Sequence, residues 1–157
     1  MKHNKAFRFR IIPNNEQESL INRTFGCTRL VYNLILGKAK EIYEAEGINK
    51  IITPASLKSE FPFLKDVDSL SLANAQLNVK TSFTNFFKKR ASFPKFKSKK
   101  TARRSYTTNC VNNSIRIEGK YIRLPKLGLV KVKLHRAIPQ SHTIKSVTVS
   151  QEPTGAY

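Results

Sequence analysis

The chain has 157 residues, of which 29 are Lys or Arg and 10 are Asp or Glu, so its formal net charge is +19. That length fits one ordinary domain or one compact body with an insertion, and the charge is typical of nucleic-acid-binding proteins. The sequence lacks an apolar segment of membrane-spanning length and an N-terminal secretion signal, and its two cysteines are too few for a zinc ribbon or a disulfide framework. We therefore expect a cytoplasmic protein with reduced thiols and no membrane partner.

The first predicted element is a strand over residues 5–12. Apolar and basic side chains alternate there, with Arg8 and Arg10 on one face, which is the period of a half-buried strand. Pro13 ends the strand. Beside the basic residues found later in the chain, Arg8 and Arg10 are candidates for lining a nucleic-acid groove.

Two helices are predicted next. Asn14 is the expected N-cap of the first, with Gln17 in the capping-box position and Gly26 as its end. The second runs from residue 28 to residue 46 and stops at Gly47. Two helices joined at a glycine resemble a helix-turn-helix, although the long apolar stripe of the second helix is better explained by packing.

A short helix and a long one complete the helical part. Thr53-Pro54 predicts an N-cap followed by a first helical residue, in a helix that ends near Phe61. A longer helix is predicted over residues 69–87, because its apolar residues recur at helical spacing. On its polar side, Asn74, Gln76, Asn78 and Asn85 are candidates for bonding an adenine edge, and Lys80 is a candidate for contacting a phosphate.

Residues 88–104, called the basic segment below, contain nine Lys or Arg and no acid. Isolated charges are costly to desolvate, so this segment needs a polyanion as its partner. Phe93 and Phe96 flank Pro94 and either stack on bases or anchor the turn to the body, with packing the stronger interpretation. The candidates for phosphate contacts are Lys88, Lys89, Arg90, Lys95, Lys97, Lys99, Lys100, Arg103 and Arg104.

After the basic segment the pattern changes from helical to alternating. Residues 114–118 and 121–124 predict a hairpin, and residues 129–134 and 144–149 predict two more strands. A small β-barrel interrupted by a helical insertion is one economical way to bury these elements. Residues 151–157 predict a turn and the beginning of a further strand, so we expect a truncated protein.

The sequence shows no catalytic constellation. Its three histidines are scattered, its carboxylates cluster where helix ends or solvated faces are predicted, and no Gly-rich phosphate loop is present. We therefore expect this chain to bind nucleic acid without a metal, a cofactor or a small-molecule substrate.

Five motifs, in order and at fitting intervals, resemble the TnpB (OrfB) proteins of bacterial insertion sequences. Together they extend over nearly the whole chain. Each motif alone is weak evidence for the family, but five motifs in the same order and spacing are specific evidence. They lie at residues 4–13 with Gln17 following, 26–33, 83–87, 93–97 and 124–128.

This resemblance implies an α+β fold in which a small wedge-type β-barrel, incomplete at the C-terminus, is interrupted by a helical recognition insertion. The expected divisions are residues 1–13 as the first barrel strand, 14–90 as the insertion, 91–104 as a basic connector and 105–157 as the returning strands. The family's barrel and insertion hold a guide RNA and its heteroduplex with DNA, and they recognise a short motif beside the target.

The family's motif-recognising positions fall near Pro54, Ser69, Ala73 and Val111-Asn112. We take Ser69 and Asn112, with the neighbouring polar residues Asn74 and Asn113, as the candidates for this role. The family's RuvC-like nuclease and its Cys-rich zinc segment would lie beyond Tyr157, so we expect this chain not to be an enzyme. The resemblance also implies a bacterial or archaeal cytoplasm.

Two other functions share parts of this pattern. A helix-turn-helix transposase or repressor domain that binds duplex DNA directly has the same charge. A ribosomal or RNA-chaperone-like basic protein fits the composition but not the ordered motifs.

Overall fold

The computed structural model describes residues 2–157, and within them there are two α-helices, two 3₁₀ helices and six β-strands. In chain order they are β1 (Arg10–Ile12), α1 (Asn15–Glu46), a 3₁₀ helix at Pro54–Leu57, a second at Pro62–Asp66, α2 (Ser69–Phe87), β2 (Ser105–Asn109), β3 (Arg116–Glu118), β4 (Tyr121–Leu124), β5 (Gly128–Lys133) and β6 (Ser146–Ser150).

The predicted pair of helices is a single helix of 32 residues, so the predicted stop at Gly26 is wrong. A helix tolerates an interior glycine at a cost of about 1 kcal/mol, and the buried residues on both sides of Gly26 offset that cost by packing. The capping box is confirmed, because the Gln17 amide donates to Asn14 Oδ1 (2.8 Å) and the Asn14 amide to Gln17 Oε1 (3.0 Å). The end at Gly47, with φ +70°, is also confirmed.

The short helix predicted after Thr53 is a 3₁₀ helix that ends at Leu57 instead of near Phe61. Pro62 is instead the first residue of a second 3₁₀ helix. Its missing N–H costs nothing there, because the first N–H groups of a helix have no partner within the helix. The bounds of α2 are those predicted. Its N-cap is Asp68, whose carboxylate accepts from the Leu70 amide (3.1 Å).

The strands form two antiparallel sheets, one with the order β1-β5-β4-β3 and one that pairs β2 with β6. The predicted hairpin is β3–β4, but β3 begins two residues later than predicted, and β2 was not predicted. Strand β1 covers residues 10–12 of the predicted 5–12, because only these pair with β5, and no strand begins in residues 151–157. The α+β class is confirmed. Residues 2–157 contain no closed barrel, because β6 pairs with β2 instead of joining an edge of the larger sheet.

Strand β1 precedes all the helices and pairs with β5, which follows them, so the helical part is an insertion between neighbouring strands. The other edge of β1 contacts the last residue, since the Ile11 amide donates to the Tyr157 carbonyl (3.1 Å). The Tyr157 hydroxyl also donates to Glu18 Oε1 (3.2 Å) on α1.

Two hydrophobic cores share α1. Ile21 and Phe25, near its N-terminus, pack with residues of both sheets. From Cys27 onwards α1 packs instead on α2 and the 3₁₀ helices. One helix therefore fixes the helical insertion relative to the sheets.

Candidate nucleic-acid interface

An aromatic side chain anchors the basic segment to the helices. The Phe93 ring meets the rings of Phe83 and Phe86 edge to face, with centroids 5.6 and 5.1 Å away. This confirms the packing interpretation for Phe93. Phe96 lies against Gly37 of α1 but is 56% exposed, so the outer part of its ring stays open to solvent.

A second anchor is the side chain of Asn33 on α1. Its Nδ2 donates to the Lys97 carbonyl and its Oδ1 accepts from the Lys97 amide, both at 2.8 Å. The Lys97 Nζ lies 4.3 Å from the centroid of the Tyr32 ring, a cation–π contact, and desolvation lowers the pKa of Lys97. The backbone of the basic segment is therefore held against α1 at this point.

The first cations of the segment follow directly from α2. Lys88 is the C-cap, Lys89 has φ +59°, and the Arg90 amide donates to the Asn85 carbonyl (2.8 Å). Cations are favoured at this end of a helix, where the peptide dipoles present partial negative charge. Part of this charge thus has a structural explanation.

All nine cations of the basic segment are exposed. The ion pairs among the described residues are Arg8–Glu152, Lys38–Glu41 and Arg116–Glu118, and none of them involves the basic segment. These cations therefore repel one another without a neutralising carboxylate in residues 2–157. A polyanion would supply the missing charge.

A groove of about 80 Å³ lies between α1, α2, the basic segment and β2. Its lining includes four cations, Arg29, Lys97, Arg103 and Arg104, and no acid. Arg29 is absent from the sequence-based candidates, because it reaches the groove only through the packing of α1 against the basic segment. The structure brings Asn74 to the same groove, whereas Arg8, Arg10 and Lys80 are not part of its lining.

Asn74 is already hydrogen bonded within the protein. Its Nδ2 lies within donor distance of the Leu70 carbonyl (2.9 Å), the Thr107 carbonyl (3.0 Å) and Asn109 Oδ1 (2.7 Å). A bidentate contact to adenine needs both the amide nitrogen and the amide oxygen of asparagine. Only the oxygen of Asn74 is free for a ligand in this arrangement.

The other three motif candidates lie at exposed positions. Ser69 is the first residue of α2. Asn112 and Asn113 have φ +51° and +60°, and the Ser114 amide donates to the Val111 carbonyl (3.1 Å), which defines a type I′ turn. Asparagine tolerates this backbone well, so the turn also explains the residue type at both positions.

Two further features of the described residues concern membrane-spanning helices and metal-binding groups. No helix in residues 2–157 is long and apolar enough to cross a membrane. Three or more His, Cys, Asp or Glu side chains do not come together as a metal-binding group anywhere in the same range.

Comparison with known proteins agrees with the sequence motifs. Residues 1–47 match a family model described as a helix-turn-helix domain, and in this structure those residues contain β1 and the unbroken α1. The chain is 32% identical over 162 residues to a protein of Streptomyces pristinaespiralis named "Putative RNA-guided DNA endonuclease". The aligned region is 98% of this chain and 40% of that protein. It is also 32% identical over 160 residues to Escherichia coli K12 "Putative RNA-guided DNA endonuclease InsQ". That alignment includes 96% of this chain and 38% of InsQ. Virulence protein VsdF of Salmonella dublin is 32% identical over 111 residues, which are 60% of this chain and 93% of VsdF.

These matches relate the chain to the OrfB class of insertion-sequence proteins. The chain belongs to the TnpB (OrfB) family, as its motifs predicted. It spans about two fifths of the length of the first two relatives.

Proposed function

We propose that these 157 residues are the nucleic-acid-binding wedge and recognition part of a TnpB-like RNA-guided DNA nuclease. They bind the guide RNA and the target DNA, including the short motif beside the target. In this division of labour base pairing supplies most of the sequence specificity, and the protein holds backbones and recognises a short duplex motif.

One observation carries the proposal: nine exposed cations, without a carboxylate partner in the described residues, sit on a segment that Phe93 and Asn33 fix to the helices. A fixed array of cations loses less conformational freedom on binding than a flexible one, so it binds phosphates more tightly. Arg29 on α1 adds a tenth cation, in the groove that Lys97, Arg103 and Arg104 of the array also line.

Target recognition falls to polar residues around α2 and the turn after β2. Ser69 and the oxygen of Asn74 belong to the N-terminal half of α2. Asn112 and Asn113 follow β2, whose last residue, Asn109, accepts a hydrogen bond from Asn74. That bond supports a single recognition site shared by α2 and the β2–β3 turn.

Binding is expected without cleavage. The 157 residues alone should bind nucleic acid and leave DNA intact in the presence of Mg²⁺, because the family's nuclease residues fall outside the motifs that this chain contains. Magnesium-dependent cleavage of DNA by the purified chain would contradict this part of the proposal.

The binding itself is tested by its dependence on salt, measured by fluorescence anisotropy with the RNA of the element's own 3′ end. If six to ten phosphates are contacted, affinity should fall about 10³- to 10⁵-fold between 50 and 200 mM salt. The triple variant Lys99→Gln, Lys100→Gln and Arg103→Gln should lower the slope by about one unit per lost contact.

A matched control removes the same charge elsewhere. Lys40, Lys50 and Lys65 are exposed and lie outside the basic segment, so their triple replacement by Gln keeps the net charge of the two variants equal. A flat salt response, or an equal loss in the two triple variants, would refute a local phosphate-binding site.

A second candidate function is direct binding of duplex DNA, which the family model described as a helix-turn-helix domain favours. Competition separates the two functions. A direct DNA-binding domain should prefer a specific duplex over the 3′-end RNA, whereas the proposed module should prefer the RNA.

A further inference from the structure

The outer face of the four-stranded sheet carries a second concentration of positive charge. Residues that pair across antiparallel strands project to the same side of a sheet, and residues two apart in one strand do so as well. The register therefore places five cations on one face: Arg10, Arg116, Arg123, Lys131 and Lys133. We call this surface the basic sheet face.

The opposite face of the same sheet is the buried one. Leu124 and Val130 belong to the core around Ile21 and Phe25 of α1, and Ile122 packs against that core. Because side chains alternate along each strand, the basic sheet face points away from α1. It is thus a different surface from the groove, which α1 helps to line.

Like charges face one another on this surface. Arg10 is paired with Lys133 and Arg116 with Arg123, and like charges directly opposite destabilise a sheet. The one acid that the register places on this face, Glu118, bonds Arg116 (Nε–Oε1 3.2 Å). Among the described residues the other four cations form no ion pair, so the face lacks its counter-charge.

An exposed aromatic ring lies among these cations. Tyr121 on β4 is 45% exposed, with Lys131 directly opposite and Arg123 two residues along the strand. Leu129 and Ile12, also exposed, add apolar surface on the same face. Unpaired bases bind in this way, with a base stacked on an aromatic ring and the phosphates held by nearby cations. Bases within a duplex offer no free face to such a ring.

We propose that the basic sheet face binds a single-stranded segment of RNA. One base stacks on Tyr121, and Arg123, Lys131 and Lys133 hold neighbouring phosphates. Only the choice of RNA as the polymer rests on the proposed function, because the charge and the exposed ring do not depend on it.

The test compares the binding of a 20-nucleotide oligouridine by variants of the whole chain. Tyr121→Leu should weaken binding about five- to 150-fold, the loss that corresponds to one stacked base, and Tyr121→Phe should restore it. Tyr43→Leu is the matched control, because Tyr43 is 44% exposed but lies on α1. Duplex RNA of the same length should bind wild type and Tyr121→Leu equally.

Unchanged oligouridine binding by Tyr121→Leu would overturn the proposal, as would tighter binding of an oligothymidine of equal length. Should circular dichroism show that Tyr121→Leu is unfolded, the double variant Lys131→Gln and Lys133→Gln decides the question. It should lower the salt slope by about 1.4, and an unchanged slope overturns the proposal. Loss of the 3′-end RNA preference in the wild-type chain would instead refute the proposed function, so the two failures are distinguishable.

Discussion

Replacing Gly26 with alanine tests whether α1 is one helix or two. Gly26 lies inside α1 without a positive φ, and a Cβ built on it would meet nothing within 4 Å. Alanine should therefore fit without strain and stabilise the fold by about 0.5–1 kcal/mol, the usual difference between glycine and alanine in a helix. For a chain of this length that corresponds to a rise in melting temperature of about 1–4 °C.

The assay is urea unfolding followed by circular dichroism at 222 nm, with Gly47→Ala as the opposite case. Gly47 has φ +70° at the end of α1, where an alanine costs about 1–2 kcal/mol. If the chain instead turned at Gly26, as in a helix-turn-helix, both substitutions would destabilise. A loss of stability in Gly26→Ala comparable to that in Gly47→Ala would refute the continuous helix.

Two further predictions concern the link between α2 and β2 and the reactivity of the thiols. The Thr108 hydroxyl donates to the buried Asp68 carboxylate, so Thr108→Val should cost about 1.5–3 kcal/mol in urea unfolding. Thr107→Val, which loses only a neutral hydroxyl contact at the surface, should cost under about 1 kcal/mol, and equal costs would contradict the buried link. Burial raises the pKa of Cys27, so at pH 8 iodoacetamide should modify the partly buried Cys110 first, with Cys27 reacting only on unfolding. Mass spectrometry of the two single Cys→Ala variants measures the modification of each remaining thiol, and faster modification of Cys27 than of Cys110 would contradict the prediction.

The sequence predicts those elements whose bounds are set locally. The capping box of Asn14 and Gln17, the glycine stop at residue 47 and both ends of α2 all depend on residues within one helical turn. Gly26 misleads because it carries the same local preference as Gly47. Only the packing of its neighbours against two cores makes the chain continue as a helix there.

Contacts between distant residues explain what the sequence could not predict. Strand β2 is rich in serine and threonine and becomes a strand by pairing with β6, about 40 residues later. That pairing also leaves the barrel open. The groove could not be predicted either, because it depends on a contact between distant residues: it brings Arg29 of α1 beside Arg103 and Arg104 of the basic segment.

The structure further separates the cations of the basic segment into two groups. The last turns of α1 carry Glu41, Glu44 and Glu46, where helix dipoles disfavour acids. The C-terminal ends of α1 and α2 meet there, with the rings of Tyr43 and Phe87 6.1 Å apart. Lys88, Lys89 and Arg90 follow Phe87 immediately, so their positive charge favours the C-terminal end of α2, and none of them forms an ion pair with a described residue. The cations from Lys95 to Arg104 lie further along the segment, beyond the end of α2. Among them Lys97 contacts the Tyr32 ring and Arg104 Nη1 donates to Gln151 Oε1 (3.0 Å). Lys99, Lys100 and Arg103 have no side-chain partner among the described residues and therefore have the greatest need of a polyanion. The charge-removing variant replaces these three and leaves the end of α2 intact.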